Sequence, residues 1–138
     1  MSAAQLQFWD TSAVIALILK DAFAPEAVKA MQTAEEYWAW EWLQIETDSA
    51  LRRRRAGPEE FSGLNALLNQ FQFLSLDRDD FPEIRDILNR HRLRSADAGH
   101  FFCLRKARRL FPKLQFVCFD QELNQAARKE GIPVFGRS

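Results

Sequence analysis

The sequence predicts an α/β fold in three layers, with a central, mostly parallel β-sheet covered by helices on both faces. Short apolar runs typical of buried strands alternate along the 138 residues with segments long enough for helices. Strands separated in this way pair in parallel, and the intervening helices pack on the sheet. Apolar residues make up 47% of the chain, which allows a dense core and argues against disorder.

Five segments are predicted to be strands because they combine apolar and aromatic residues over short lengths. They are residues 6–9, 37–43, 71–76, 115–119 and 133–135. The second segment alternates, so that Trp38, Trp40 and Trp42 fall on one face. We expect that face to lie in the core or at a subunit interface rather than to stack on nucleic-acid bases.

Seven segments are predicted to be helices. They are residues 13–19, 25–34, 46–55, 58–70, 81–91, 95–108 and 121–130. Thr11 or Ser12 is expected to cap the first helix and Ser95 the sixth, because a hydroxyl oxygen can accept a free backbone N–H. Pro58 suits a first helical turn, and Gly131 suits the end of the last helix.

The chain has no internal repeat, linker or low-complexity tract, so we expect a single domain over residues 1–138. Lys+Arg and Asp+Glu are equal at 19 each, and net charge therefore favours no class of partner. Cys103 and Cys118 form no metal-binding or redox pattern and are expected as reduced core thiols. Without an export signal or a membrane-spanning segment, we expect a cytoplasmic protein.

Basic residues are unevenly distributed. They outnumber acidic residues between Arg85 and Lys113, and they recur at residues 52–55. Arranged around an acidic centre, they would form a rim that attracts phosphates, as a nuclease requires. The alternative is that they are solvated helix faces.

Four acidic residues occupy points at which predicted strands give way to helices or loops. They are Asp10, Glu46, Asp97 and Asp120. In an open parallel sheet, ligands collect beyond the carboxyl ends of the strands, so side chains placed there can converge. Converging carboxylates require a hard cation, which predicts a magnesium-type site. Taken singly, each acid has a structural alternative as a cap or as a favourable charge in a first helical turn.

Four segments that contain these acids carry a family resemblance. They read FWDTSAVIAL (8–17), LQIETDSALR (43–52), LRSADAGHF (93–101) and FVCFDQELNQAAR (116–128), the last followed by Gly131. In this order they resemble the motifs of PIN-domain nucleases, specifically the VapC-type toxins of toxin–antitoxin pairs. Cys118 departs from the family, which often has Thr or Ser there. The second segment matches most loosely, and Glu41 is an alternative to Glu46.

The resemblance implies a PIN-like three-layer fold and a divalent-metal-dependent endoribonuclease using Mg²⁺ or Mn²⁺. It implies Asp10 and Asp97 as the principal metal ligands, with Asp120 completing the site and Glu46 binding the metal or orienting the attacking water. Thr11 or Ser12 would hold a metal-bound water. The candidates for contact with the RNA substrate are Arg52, Arg53, Arg92 and Arg94.

The resemblance also implies a homodimer and a cognate VapB-type antitoxin. The tryptophan-rich segment or the first two helices would supply those contacts. The alternative function is a non-catalytic PIN-like module that binds RNA or protein. Of the two histidines, His100 can approach the acids but is expected as a hydrogen-bonded core residue, and His91 is expected in an exposed basic stretch.

Overall fold

The computed structural model describes residues 5–136, and its centre is a sheet of four strands that all run parallel. The strands are β1 (Leu6–Trp9), β2 (Glu36–Trp40), β3 (Phe71–Leu74) and β4 (Gln115–Val117), and their order is β3-β2-β1-β4. In the register, Phe8 of β1 is paired with Trp38 on one side and with Phe116 on the other. The predicted parallel sheet is confirmed. Residues 1–4 and 137–138 of the predicted domain lie outside the described residues.

The described part of the chain contains seven α-helices. They are α1 (Thr11–Leu19), α2 (Ala24–Thr33), α3 (Leu43–Arg53), α4 (Pro58–Leu68), α5 (Phe81–Arg90), α6 (Ser95–Leu110) and α7 (Gln121–Lys129). A short 3₁₀ helix, Arg78–Asp80, precedes α5. None of the helices within residues 5–136 has the length and apolar character that crossing a bilayer demands.

The sheet separates two apolar cores, because successive residues of a strand point to opposite faces. Phe8 packs in one core with residues of α5, α6 and α7, whereas Trp9 packs in the other with residues of α1 to α4. Phe116 and Val117 of β4 divide between the cores in the same way. The three-layer α/β/α arrangement is therefore confirmed.

Three predicted strands end earlier than expected, and for the third and fourth the ends are Leu74 and Val117. The second ends at Trp40, and Trp42 lies in the turn before α3 with 48% of its surface exposed. Trp38 and Trp40 pack against the core, whereas Trp42 lies outside the strand with its ring centroid 6.5 Å from that of Trp40. Helix α3 begins at Leu43 because the carbonyl of Trp42 already accepts the N–H groups of the first turn.

The segment predicted as a fifth strand forms a single parallel bridge between Val134 and Phe116. Phe116 N–H donates to the carbonyl of Pro133 (3.0 Å), and Phe135 N–H donates to the carbonyl of Phe116 (2.8 Å). Pro133 has no N–H to donate, which limits the pairing. The segment therefore covers the outer edge of β4 without becoming a strand.

Two further predictions need correction. Ser95 is the first residue of α6 and makes no capping bond, since Arg94 occupies the N-cap position. His91 is buried rather than exposed, because its Nε2 lies 2.7 Å from Glu130 Oε2 and the neighbouring Arg105 also binds Glu130. The Glu130 carboxylate thus provides the hydrogen-bond partner of the buried His91 ring. The basic residues around His91 in the sequence had suggested that the ring was exposed to solvent.

Both cysteines are free and buried, as predicted. Burial raises the pKa of the Cys103 thiol to about 12, so it remains a thiol at neutral pH. Burial likewise raises the pKa of Cys118 well above its ordinary value. Neither thiol has the thiolate character of a reactive cysteine.

Gly99 permits the close approach of α6 to β2. A Cβ at this position would lie 2.5 Å from two ring carbons of Trp40, which is closer than packed atoms can come. Gly63 in α4 offers a contrast, because a Cβ there would have only the end of Ile18 nearby, at 3.7 Å. The lack of a side chain is thus required at Gly99 and not at Gly63.

We predict that Gly99→Ala destabilises the protein by about 1–3 kcal/mol, because the added methyl group displaces the Trp40 ring. The matched control Gly63→Ala should stabilise it by about 0.5–1 kcal/mol, since alanine is the better helix former at an exposed position. Urea denaturation of both variants measures the two effects. Equal stability of Gly99→Ala and wild type would contradict the packing described here.

Candidate active site

The site lies at the carboxyl edge of the sheet, between β1 and β4. The strand order reverses there, because the chain moves from β1 to β2 on one side while β4 adds on the other. Asp10 follows β1 directly, and Asp120 lies in the turn after β4. Crevices at such reversal points are where ligands bind in open parallel sheets.

Asp10 is buried, with 4% of its surface exposed, and occupies the N-cap position of α1. Its Oδ1 accepts the N–H of Ala13 at 3.4 Å. The prediction that Thr11 or Ser12 caps this helix is therefore wrong: the strand ends at Trp9, which makes Asp10 the boundary residue. Ser12 instead donates its hydroxyl to Asp10 Oδ1 (2.7 Å) and accepts the N–H of Phe119 (2.8 Å). It thereby joins the turns that carry Asp10 and Asp120.

Asp120 is the N-cap of α7, and its Oδ1 accepts the N–H of Leu123 at 3.0 Å. The Asp120 N–H donates to Cys118 Sγ at 3.3 Å, so the thiol stabilises the turn where the family often has a hydroxyl. Asn124 donates its side-chain amide to the Cys118 carbonyl at 2.8 Å. These bonds fix the direction in which the Asp120 carboxylate leaves the sheet.

Glu46 lies in the first turn of α3 and is held by two other helices. Its Oε1 accepts the hydroxyl of Thr11 (2.7 Å) and lies 2.5 Å from Nε2 of His100, which is itself 3.2 Å from Thr11 Oγ1. His100 is buried and hydrogen-bonded as predicted, but its partners place it beside the acids. Glu41, the alternative to Glu46, is exposed and accepts a bond from Ser75 (3.0 Å).

Asp97 lies in the first turn of α6, and its side chain makes no hydrogen bond with any described residue. Its Oδ2 is buried, and the nearest cationic group is the Nε of Arg94 at 3.7 Å. A buried carboxylate oxygen without a partner is costly, and such atoms are rare in folded proteins. The Oδ2 atom of Asp97 therefore keeps its bonding capacity free among the described residues.

The acids act on one another electrostatically. Burial raises the pKa of Asp10 to about 6, and the charge of Asp120 adds to this rise, while His100 and the hydrogen bond from Ser12 oppose it. Burial and the charge of Asp120 also raise the pKa of Asp97, against a lowering by Arg94 and His100. Asp10 and Asp97 therefore both lie within the field of Asp120.

Glu46 behaves differently from the two aspartates. Burial opposes its ionisation, but the hydrogen bond and charge of His100, together with the hydrogen bond from Thr11, outweigh burial and lower the pKa of Glu46. The surroundings of Glu46 therefore favour its ionised form, whereas those of Asp10 and Asp97 disfavour it. Environments that separate the pKa values of neighbouring acids are typical of functional sites.

The chemistry of the donors fits a hydrated hard cation. In each of Asp10, Asp120 and Glu46, the hydrogen bonds from described residues go to only one of the two carboxylate oxygens. The second oxygen of each carboxylate is therefore available to a ligand. No three His, Cys, Asp or Glu side chains within residues 5–136 are placed to enclose a metal ion. Mg²⁺ keeps several waters and needs only one or two protein carboxylates, so an open site of this kind suits it.

Of the predicted basic contacts, Arg94 lies beside Asp97 and Asp120, Arg92 lies in an adjoining cavity that shares Glu122, and the other two lie away from the acids. Arg94 and Asp120 line an open cavity of about 600 Å³, and Arg92 lines a neighbouring cavity of about 340 Å³. Arg52 and Arg53 lie at the far end of α3, about 10 Å along the helix axis from Glu46 at 1.5 Å per residue. Arg52 pairs there with Asp48.

Comparison with curated proteins finds no match. The family model described as PIN domain matches residues 8–129, which include all four motif segments and both layers of helices. The fold itself, a parallel sheet with the acids beyond its carboxyl edge, is of the nuclease type that this family shares. Because the match covers far more than half of the sequence, the chain belongs to the PIN-domain family.

Proposed function

We propose that the protein is a divalent-metal-dependent endoribonuclease and acts as the toxin of a VapBC-type toxin–antitoxin pair. The observation that carries this proposal is the set of carboxylates beyond the carboxyl edge of the sheet, including the buried, unpartnered Oδ2 of Asp97, in a chain of the PIN-domain family. Clustered, poorly solvated negative charge destabilises a protein and gains nothing for RNA binding by itself. It becomes useful when a cation is bound between the acids.

Asp10, Asp97 and Asp120 are the residues that would hold Mg²⁺ or Mn²⁺, in part through bound water, because no three acids within residues 5–136 are placed to enclose an ion. The buried, unpartnered Oδ2 of Asp97 and the raised pKa of Asp10 support this assignment, since a cation would satisfy both groups. When bound, the ion supplies positive charge that activates water and stabilises charge on the phosphate and the leaving oxygen. Ser12 holds Asp10 in place for this role, rather than a metal-bound water.

Glu46 is assigned as the general base, because its lowered pKa keeps it a carboxylate and its Oε2 is free to accept a proton. In the reaction, a water molecule loses a proton to Glu46 while its oxygen forms a bond to phosphorus. The bond from phosphorus to the leaving sugar oxygen breaks, and that oxygen takes up a proton from solvent.

Substrate and partner contacts follow from position. Arg94, which lines a cavity with Asp120, and Arg92, which lines the adjoining cavity, would bind RNA phosphates, while Arg52 and Arg53 are too far along α3 to serve the same nucleotide. The antitoxin and the second copy of a homodimer need apolar surface. Large apolar side chains exposed near α2 and at the start of α3 offer it, namely Phe23, Val28, Trp42 and Ile45.

The decisive experiment is cleavage of total RNA by the purified protein. We expect fragments with Mg²⁺ and none with chelator, a loss of about 100-fold or more in Glu46→Gln, and a comparable loss in Asp10→Asn. The matched control Asp79→Asn changes an exposed aspartate outside the site and should cleave like wild type. Cleavage that survives chelation and Asp10→Asn would refute the proposal. RNA binding without cleavage, indifferent to metal, would instead indicate a non-catalytic module.

Metal binding should be visible without RNA. Mg²⁺ or Mn²⁺ should raise the melting temperature of wild type, because only the folded state brings the acids together. At a metal concentration 100-fold above the dissociation constant, the free energy of unfolding should rise by about 2.7 kcal/mol. Asp97→Asn should lose most of this gain, and Asp79→Asn should keep it. A thermal-shift titration measures the effect, and equal gains in both variants would count against Asp97 as a ligand.

Asp10 predicts the pH dependence of the metal-free protein. Its folded-state pKa of about 6 exceeds the ordinary 3.8, so it contributes stability below about pH 4 that is lost as pH rises through 6. Asn keeps the hydrogen bond from Ser12 without the charge. Asp10→Asn should therefore exceed wild type in stability at pH 7.5 by up to about 3 kcal/mol, a difference that shrinks towards pH 4. Chelated samples followed by urea denaturation test this, and a less stable variant at pH 7.5 would contradict it.

A further inference from the structure

We propose that His100 is a positioning residue, which holds the Glu46 carboxylate in the orientation needed to accept a proton from the attacking water. This inference rests on the proposed ribonuclease function. His100 itself touches neither the water nor the phosphate in this assignment. It acts through Glu46.

The contacts that carry the inference converge on one oxygen atom. The Nε2 of His100 lies 2.5 Å from Glu46 Oε1, and the hydroxyl of Thr11 donates to the same oxygen at 2.7 Å. Two donors from different helices, α6 and α1, therefore fix a side chain on a third helix, α3. Within the described residues, Oε2 of Glu46 accepts no hydrogen bond and is the oxygen left for the water.

The imidazole ring is in turn held by packing. His100 is 1% exposed, and its ring meets the ring of Trp40 edge-on, with centroids 5.0 Å apart and planes at 85°. Trp40 can lie this close to α6 because the residue before His100 is Gly99, which has no side chain. A ligand or base is held most accurately when the rotamer of its supporting side chain is itself fixed by packing.

The second ring nitrogen of His100, Nδ1, makes no hydrogen bond among the described residues, unlike Nε2. This nitrogen is buried. A histidine retained for core stability would be expected to satisfy both nitrogens, because an unpartnered buried polar atom costs free energy. All the hydrogen bonding of this ring is directed instead at Glu46 and Thr11.

The test compares two amides of different reach, His100→Gln and His100→Asn. The Gln amide nitrogen can occupy the position of Nε2, whereas the Asn nitrogen reaches only that of Nδ1. We expect Asn to lower kcat by about 10- to 100-fold with little change in KM, and Gln to restore most of the loss. The rise in melting temperature with Mg²⁺ alone should remain in both variants, because the three aspartates are unchanged.

Two outcomes would overturn the positioning role while leaving the ribonuclease intact. One is a wild-type kcat in His100→Asn; the other is an equal loss of kcat in Asn and Gln variants, which would point to the charge of His100. If wild type itself shows no metal-dependent cleavage, the proposed function fails, and this inference fails with it.

A measurement on the unchanged His100 covers the case in which neither variant folds. The ring N–H of His100, bonded to Glu46, should give a slowly exchanging proton resonance in ¹H–¹⁵N spectra of wild type. Glu46→Ala, a change on a partly exposed first turn, should abolish the slow exchange. A resonance that persists unchanged in Glu46→Ala would show that the histidine is held by other groups, and the inference would be wrong.

Discussion

The Ser12 hydroxyl connects the two turns on which the site is built. It donates to Asp10 after β1 and accepts the Phe119 N–H after β4, so the acids that end two neighbouring strands keep a fixed separation. A main-chain bond from the Asp10 N–H to the Val117 carbonyl (3.2 Å) joins the same two strand ends. Within this arrangement the charge of Asp120 raises the pKa of both Asp10 and Asp97.

The burial of Asp10 lowers the stability of the folded protein. A carboxylate that is 4% exposed and hydrogen-bonded through one oxygen raises the free energy of the folded state at neutral pH. The two layers of helices offset this with large apolar cores on both faces of the sheet. Sites that must bind a cation or stabilise a reacting group are commonly less stable than an inert surface would be.

The hydrophobic pattern of the sequence was sufficient to predict the layers of the fold. The site was less predictable, because its side chains are neighbours in space but distant along the chain. The alternation at Phe8 and Trp9 indicated a sheet buried on both faces, and the positions of the acids after strands indicated the site. No local pattern indicated that His100 would meet Glu46, 54 residues away along the chain. The one available signal was its spacing of three residues from Asp97, which places both on one side of a helix. His91 was misassigned for a similar reason, because its partner Glu130 is distant in sequence.

The segment that bridges Phe116 has a consequence for self-association. The outer edge of β4 carries backbone donors and acceptors, and an uncovered edge of this kind can pair with a strand of another molecule. The backbone N–H and carbonyl of Phe116 are already bonded to Pro133 and Phe135. Pro133 has no backbone N–H, so it cannot donate a hydrogen bond to a strand of another molecule. These few residues therefore protect the edge of β4 from pairing with another molecule, and Val134 and Phe135 also pack against the two cores.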